Sequence, residues 1–437
     1  MDKQTPIAVF WFRRDLRLND NAGLYHALKS GKPVLPIFIF DKSILSKLTF
    51  KDDARVTFIH QTIENLNKEL QTLDSSLLVI YDEVEEAFKQ LLNDFKISAV
   101  YSNHDYEPYA INRDKAISEL LSKHQIALKS FKDQVIFEKE EVVKDDGTPY
   151  TVYTPYQRKW YQKLKSYYFK AYPNASYFDA FYKANSFSVP TLSQIGFEKS
   201  NLEFPEISYI NYIKQYPENR DFPAVAGTTH IGLHLRFGTV SIRELARTAY
   251  GFEEKTWLNE LIWREFYMMV LYHFPHTQNQ AFKPAYDAIK WVNNEVHFEA
   301  WCKGETGYPL VDAGMRELNT TGYMHNRVRM VVASFLTKDL LIDWRWGERY
   351  FASKLLDYEL ASNVGGWQWS AGCGTDAAPY FRIFNPDSQL KKFDPQFTYI
   401  KKWTPEYADF SKYPKPIIDH AYARDRCLKV FKEALTL

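Results

Sequence analysis

The chain has 437 residues, of which 45% are hydrophobic, 25% charged and 16% aromatic, and its net charge is +1. That length exceeds one small core and predicts two domains with a connecting region, while 55 basic against 54 acidic residues exclude a protein that coats nucleic acid through bulk charge. No stretch reaches the roughly 18 apolar residues of a membrane span, the charged start MDKQTPIAVFWFRRDLRLND is no secretory signal, and Cys302, Cys373 and Cys427 are too scattered for a disulfide framework or a metal site, so a cytoplasmic protein with no membrane partner and no metal is expected.

Residues 1–131 alternate short apolar runs with helical patterns. Ile7–Phe12, Val34–Phe40, Leu77–Tyr81, Ile97–Ser102 and Ile126–Phe131 are predicted strands; Asn21–Lys29, Ala54–Leu73, Glu85–Phe95 and Ile111–Leu121 are predicted helices. Such alternation gives a parallel α/β sheet of Rossmann-like type. No G-x-G-x-x-G follows the first strand, however; FWFRRDLRLNDN stands there, and Arg13, Arg14 and Asp15 are expected to cap and pair at the strand end. Residues 132–205 are rich in Tyr and Lys, with YTPYQRKWYQKLKSYY as their one helix-like piece, and are expected to form a connection. Residues 206–437 are predicted to be helical throughout, with helices at Ser241–Tyr250, Thr256–His273, Val311–Leu318, Asn326–Asp339, Glu348–Leu356 and Ala421–Leu435. The fold class is therefore α/β followed by all-α.

The second half is built around rings: nine of the eleven tryptophans follow residue 250. Such a bias fits a Trp-rich core, an aromatic cofactor or stacked bases. In DYELASNVGGWQWSAGCGTDAAPYFRIFNP, from Asp357 to Pro386, Trp367 and Trp369 are too close in sequence to share a helix face, and the glycines permit close backbone approach; the segment reads as a wall around something large and flat. Thr228, Thr229, His230, Ile231 and Gly232 precede a helical stretch, where they could form a plain N-cap or bind phosphate. In MHNRVRM, Asn326, Arg329 and Met330 share a helix face, and a buried arginine there needs a carboxylate. WLNELIWREFY sets Glu260, Trp263, Arg264 and Tyr267 along one stripe, which is poor core and a candidate active site.

These segments resemble, nearly residue for residue, the flavin-binding signature of the photolyase and cryptochrome family, and WFRRDLRLNDN resembles the opening of its antenna domain. The resemblance implies an antenna domain at 1–131, a linker at 132–205 and a helical FAD-binding catalytic domain at 206–437. It implies FAD contacts from Tyr216, Thr228, Thr229, His230, Ile231 and Gly232, the last standing where the family has serine. It pairs Arg329 with Asp357 beside the flavin ring, adds Tyr358 and Glu359, and sets Asn363 facing the redox-active ring nitrogen, where a neutral amide favours repair over signalling. Glu260, Trp263, Asn326 and Met330 would hold the damaged pyrimidines, with Trp369 as a second aromatic wall and Arg264 and Tyr267 on the same stripe. Arg220, Arg327, Arg382, Lys401 and Lys402 would meet DNA phosphates, and Trp291, Trp344 and Trp367 would relay electrons. Glu260 would need to be protonated, and burial against Trp263 would raise its pKa in that direction.

His325 is followed by Asn326 rather than a second histidine, which is similar to enzymes of cyclobutane dimers and unlike six-four enzymes. At the antenna, Tyr109 and Ala110 replace an Asn-Glu pair of folate-binding relatives; a folate, a deazaflavin, a second flavin or no second chromophore stay as alternatives. The implied function is light-dependent repair of cyclobutane pyrimidine dimers in UV-damaged DNA by a monomer, using an electron from excited reduced FAD. The alternatives are a cryptochrome-like blue-light receptor without repair, or a flavoprotein or DNA-binding module without catalysis.

Overall fold

Six consecutive apolar residues form strand β1, Ile7–Phe12, and every one of them is buried. A run without alternation is what a parallel strand covered on both faces requires. In the computed structural model, which describes residues 5–184, 186–409 and 411–436, β1 lies at the centre of a five-stranded sheet. Its companions are β2 (Val34–Asp41), β3 (Leu78–Asp82), β4 (Ile97–Asn103) and β5 (Ala127–Phe131), in the order β3-β2-β1-β4-β5 and parallel throughout. Ile7, Val9 and Trp11 turn one face toward Phe88, Leu91 and Ile117 of two covering helices. On the other face, Gly23 of the helix Ala22–Leu28 approaches Phe10 so closely that a Cβ would stand 3.0 Å from the ring.

The charges that follow β1 are all paired. Arg13 donates to Asp114 at 2.5 and 2.6 Å, Arg14 to Glu107 at 2.8 Å, and Arg17 to Asp133 at 2.8 Å. Asn21 caps the first helix by accepting from the Leu24 N–H. The expectation of capping and pairing at this strand end holds.

The chain divides into two compact units, and their boundaries differ from those expected at 131 and 205. One unit comprises 1–138, 164–207 and 231–251; the other comprises 139–163, 208–230 and 252–437. The expected connection is thus shared out rather than free. The cause is polar: Tyr156 Oη and Trp160 Nε1, from the helix Tyr153–Lys163, donate to the buried carboxylate of Glu265 at 2.9 and 2.7 Å. A buried carboxylate must find donors, and these draw the segment into the helical unit. In the sheet unit, Arg243 donates to Asp20 and to Asp133, both at 2.8 Å, and fixes the segment 231–251 in the same way.

The helical unit contains Thr256–His273, matching the predicted limits, together with Pro309–Thr321, Asn326–Ser334, Trp344–Lys354 and His420–Leu435. The stretch predicted as one helix to Asp339 changes at Phe335–Asp339 into a wider π turn. The signature segment, read from sequence as a wall around something large and flat, forms a helix from Leu360 to Ala371. Its neighbour Gly347 gives Trp367 room. A Cβ there would stand 2.1 Å from Trp367 Cη2 and 2.6 Å from Leu336 Cδ2.

Trp367 is itself backed by Phe351 and Trp301, with ring centroids 5.0 and 6.1 Å away, so it has little freedom to retreat. Gly347→Ala should therefore destabilise the helical unit by about 1–3 kcal/mol, more than the roughly 1 kcal/mol that alanine returns in helix propensity. Urea unfolding measures this as a lower midpoint. An unchanged midpoint would mean that the indole can slide aside.

Candidate functional site

Three helices of the helical unit enclose a cavity of about 500 Å³, a size within the range of cofactor sites. Thr256–His273 presents Glu260, Trp263, Arg264 and Tyr267 to it, a stripe at helical spacing. Asn326–Ser334 presents Asn326, Arg327, Arg329, Met330 and Ala333, and Leu360–Ala371 presents Asn363, Gly366, Trp367, Trp369 and Ser370. Glycine sets the spacing between two of these walls: a Cβ on Gly365 would stand 2.3 Å from the Tyr267 ring. The glycine pair weakens the helix by roughly 2 kcal/mol, since each costs about 1 kcal/mol relative to alanine, and closeness to Tyr267 is what it gains.

The four arginines and four carboxylates that line the cavity form four pairs. Arg329 meets Asp357 at 2.9 Å, Arg327 meets Asp221 at 2.7 Å, Arg264 meets Glu359 at 3.3 Å, and Arg220 donates to Glu260. A guanidinium taken out of water requires such a partner. Of the candidates for DNA phosphates, Arg220 and Arg327 thus each hold a carboxylate in this structure. Burial pushes the Glu260 carboxyl upward, as expected, but Arg220 opposes the shift.

Asn363 commits its amide N–H₂ to Glu348, donating to the backbone oxygen at 3.1 Å and to Oε1 at 3.0 Å. Its Oδ1 is then the atom left to face the cavity as an acceptor. Burial pushes the Glu348 carboxyl upward. His325 caps the helix that follows it: its Nδ1 accepts from the Arg327 N–H at 3.2 Å, so Nε2 carries the proton. That Nε2 and the Nε of Arg327 are buried without a protein partner. Burial first, and Arg329 second, push the His325 pKa down to about 4. Flat aromatic walls, an apolar patch at Met330, Ala333 and Phe351 and a hydroxyl at Thr228 together suit a large planar cofactor with polar ends.

Tyr216, Thr228, Tyr358 and Glu359 also line the cavity, so most residues singled out from the sequence meet there. Several do not. Thr229 is buried, and His230 stacks on Tyr323 with centroids 3.9 Å apart, both off the cavity wall. Ile231 and Gly232 fall on the far side of the chain division, in the segment belonging to the sheet unit. Trp344 lies in the core at 1% exposure, and Trp291 packs edge-on against Phe431. Arg382, Lys401 and Lys402 are exposed and off the cavity wall; the Arg382 guanidinium lies over Phe384. The sequence reading missed Asp221, the Arg327 partner, and Glu348, the Asn363 partner. Neither carries a local signal, since both act through residues remote in the chain.

Known proteins match this chain over most of its length. Residues 257–412 match the FAD binding domain of DNA photolyase, and residues 8–176 match DNA photolyase. A deoxyribodipyrimidine photo-lyase of Alkalihalophilus pseudofirmus is 36% identical over 99% of this chain and 99% of its own length. A class III photolyase from Agrobacterium tumefaciens superposes with a TM-score of 0.88 at 31% identity, covering 100% of this chain and 99% of that one. A cryptochrome from Synechocystis superposes with a TM-score of 0.86 at 26% identity, covering 98% of this chain and 100% of that one.

The buried, neutral His325 makes stability depend on pH. Its folded pKa of about 4 lies below the 6.5 of an unperturbed histidine, so protonation favours the unfolded chain. Its contribution is full above pH 6.5 and is lost as pH falls toward 4, by roughly 3 kcal/mol across the window. His325→Gln should flatten the loss of stability between these pH values in urea titrations. A slope equal to that of the unsubstituted protein would assign the loss to other groups.

Proposed function

The chain belongs to the DNA photolyase family, and from that premise we propose that it repairs cyclobutane pyrimidine dimers in UV-damaged DNA with light. The observation that carries the proposal is the meeting of Glu260 and Trp263 on one helix with Asn326 and Met330 on another, at one cavity. A dimer sits inside the duplex, so it must be drawn out of the stack to reach such a cavity, as in the known photolyases that serve as the standard example of base flipping. Trp263 and Trp369 then offer flat surfaces, where stacking is worth about 1–3 kcal/mol per base. Asn326 supplies both a donor and an acceptor to the pyrimidine edges.

Arg329 with Asp357, Asn363 through its free Oδ1, Tyr358 and Thr228 are the residues proposed to hold FAD. When bound there and reduced, FAD supplies an electron on absorbing blue light. Trp367 at the cavity wall, Trp344 in the core and Trp291 further out are proposed to bring electrons inward. Arg220 opposes the upward push of burial on Glu260 in the free protein; a lesion that draws Arg220 toward its phosphate would leave the Glu260 carboxyl to burial, which favours the protonated, donating form. The pair thus supplies hydrogen bonding to charge that develops on the bases, and excludes bulk water from them.

Glu260→Ala is expected to lower repair per absorbed photon about tenfold while changing the Kd for damaged duplex less than threefold, because phosphate contacts dominate affinity. Quantum yields at saturating duplex measure this, and equal yields would remove the role given to Glu260. The lesion class is tested directly by illuminating reduced protein with oligonucleotides bearing each photoproduct. Cyclobutane dimers should be split and six-four products left intact, since a histidine neutral down to about pH 4 is a poor acid at neutrality. Failure on the cyclobutane dimer with flavin fully reduced would favour the light-receptor reading.

A further inference from the structure

Trp263 is half covered within the protein. Tyr153 lies parallel to its indole with ring centroids 3.6 Å apart and an interplanar angle of 7°. That leaves the opposite face and the ring edges as the surface Trp263 can offer to the cavity. Tyr153 is itself 7% exposed and is not part of the cavity wall, so a molecule lying there does not touch it.

Its own position is fixed on every side. The backbone N–H donates to Asp376 Oδ2 at 3.2 Å, the hydroxyl donates to the Asn259 oxygen at 2.9 Å, and Gln157 Nε2 donates to that hydroxyl at 3.4 Å. Phe266 meets the phenol edge-on at 5.9 Å. A side chain held this firmly transmits its plane to the ring stacked upon it. Stacked aromatic pairs prefer near-parallel, close geometry, and an indole with one face already filled has few other orientations at hand.

We propose that Tyr153 is a positioning residue that presets the plane of Trp263 as a one-sided platform for the extruded lesion. This rests on the reading of the cavity as a lesion site. Without Tyr153 the indole would be ordered only when the lesion arrives, and ordering one aromatic side chain on binding costs about tenfold in affinity. The stack is the operative feature rather than the hydroxyl, since the hydroxyl points to a backbone carbonyl away from the ring pair.

The test uses the flavin-loaded protein and two duplexes, one bearing a single cyclobutane dimer and one undamaged. Tyr153→Leu is expected to raise the Kd for the damaged duplex about tenfold, to leave the Kd for the undamaged duplex within twofold, and to leave repair per photon at saturation within twofold. Flavin absorbance per chain, a readout independent of repair, should be unchanged. Tyr153→Phe keeps the stack and should restore damaged-duplex affinity to within twofold of the unsubstituted protein. Should the leucine variant lose its flavin, Tyr153→Met fills more of the space and carries the same expectation. The proposal is overturned if Tyr153→Leu or Tyr153→Met keeps the full lesion preference, if damaged and undamaged affinities fall together in them, or if Tyr153→Phe is as weak as Tyr153→Leu. An unsubstituted protein with no preference for damaged duplex overturns the lesion-site reading itself, and this inference with it.

Discussion

The pairing of every cavity-lining arginine with a carboxylate is the constraint on which the rest of the site depends. Guanidinium groups partly withdrawn from water oppose folding if left without a partner. Asp221, Glu260, Asp357 and Glu359 remove that cost, and they come from different parts of the chain. Pairing holds Arg329 and Asp357 at 2.9 Å, so the wall is preformed before anything binds. It also leaves the cavity close to neutral, with strong local dipoles in place of net charge.

Close helix packing depends on the same economy. Gly365 admits Tyr267 and Gly347 admits Trp367, each at a separation no side chain would tolerate. The first contact sets the distance between the wall carrying Glu260 and the wall carrying Asn363, and the second seats the helix Trp344–Lys354 behind the latter. Aromatic rings then fill the space behind: Trp367 meets both Trp301 and Phe351 edge-to-face, and those two lie nearly parallel to each other. The rigidity of the site is thus made by glycine and large rings together, with aliphatic packing around them.

Much of this was legible in the sequence, and the misses share a cause. Uninterrupted runs such as Ile7–Phe12 announced buried parallel strands, because burial on both faces removes alternation. The stripe of Glu260, Trp263, Arg264 and Tyr267 announced a wall, because charge and aromatics on one helix face fit no ordinary core. The helix Leu360–Ala371 was hidden by its own function: Asn363, Gly365 and Gly366 are poor helix formers locally, and tertiary contact overrides their propensity. The 132–205 segment was read as a connection because its polarity is that of a loop, while the donors on Tyr156 and Trp160 are satisfied only by Glu265, more than a hundred residues away. Partners of this kind, including Glu348 for Asn363, leave no periodic trace.

The titratable groups in and beside the cavity are shifted in a consistent way. His325, which would be the natural acid, is pushed down to about 4 by burial and by Arg329. Tyr216 and Tyr267, which would be the natural donors at higher pH, are pushed upward chiefly by burial. Each shift moves a proton-transfer group away from neutrality. Glu260 alone is moved toward it, and Arg220 holds that shift in check while the cavity is free of substrate. A site so arranged neither gives up nor takes a proton readily until Arg220 is drawn elsewhere. An added electron on a bound base would then be less readily quenched by protonation, which is the condition a bond-splitting reaction driven by electron gain and return requires.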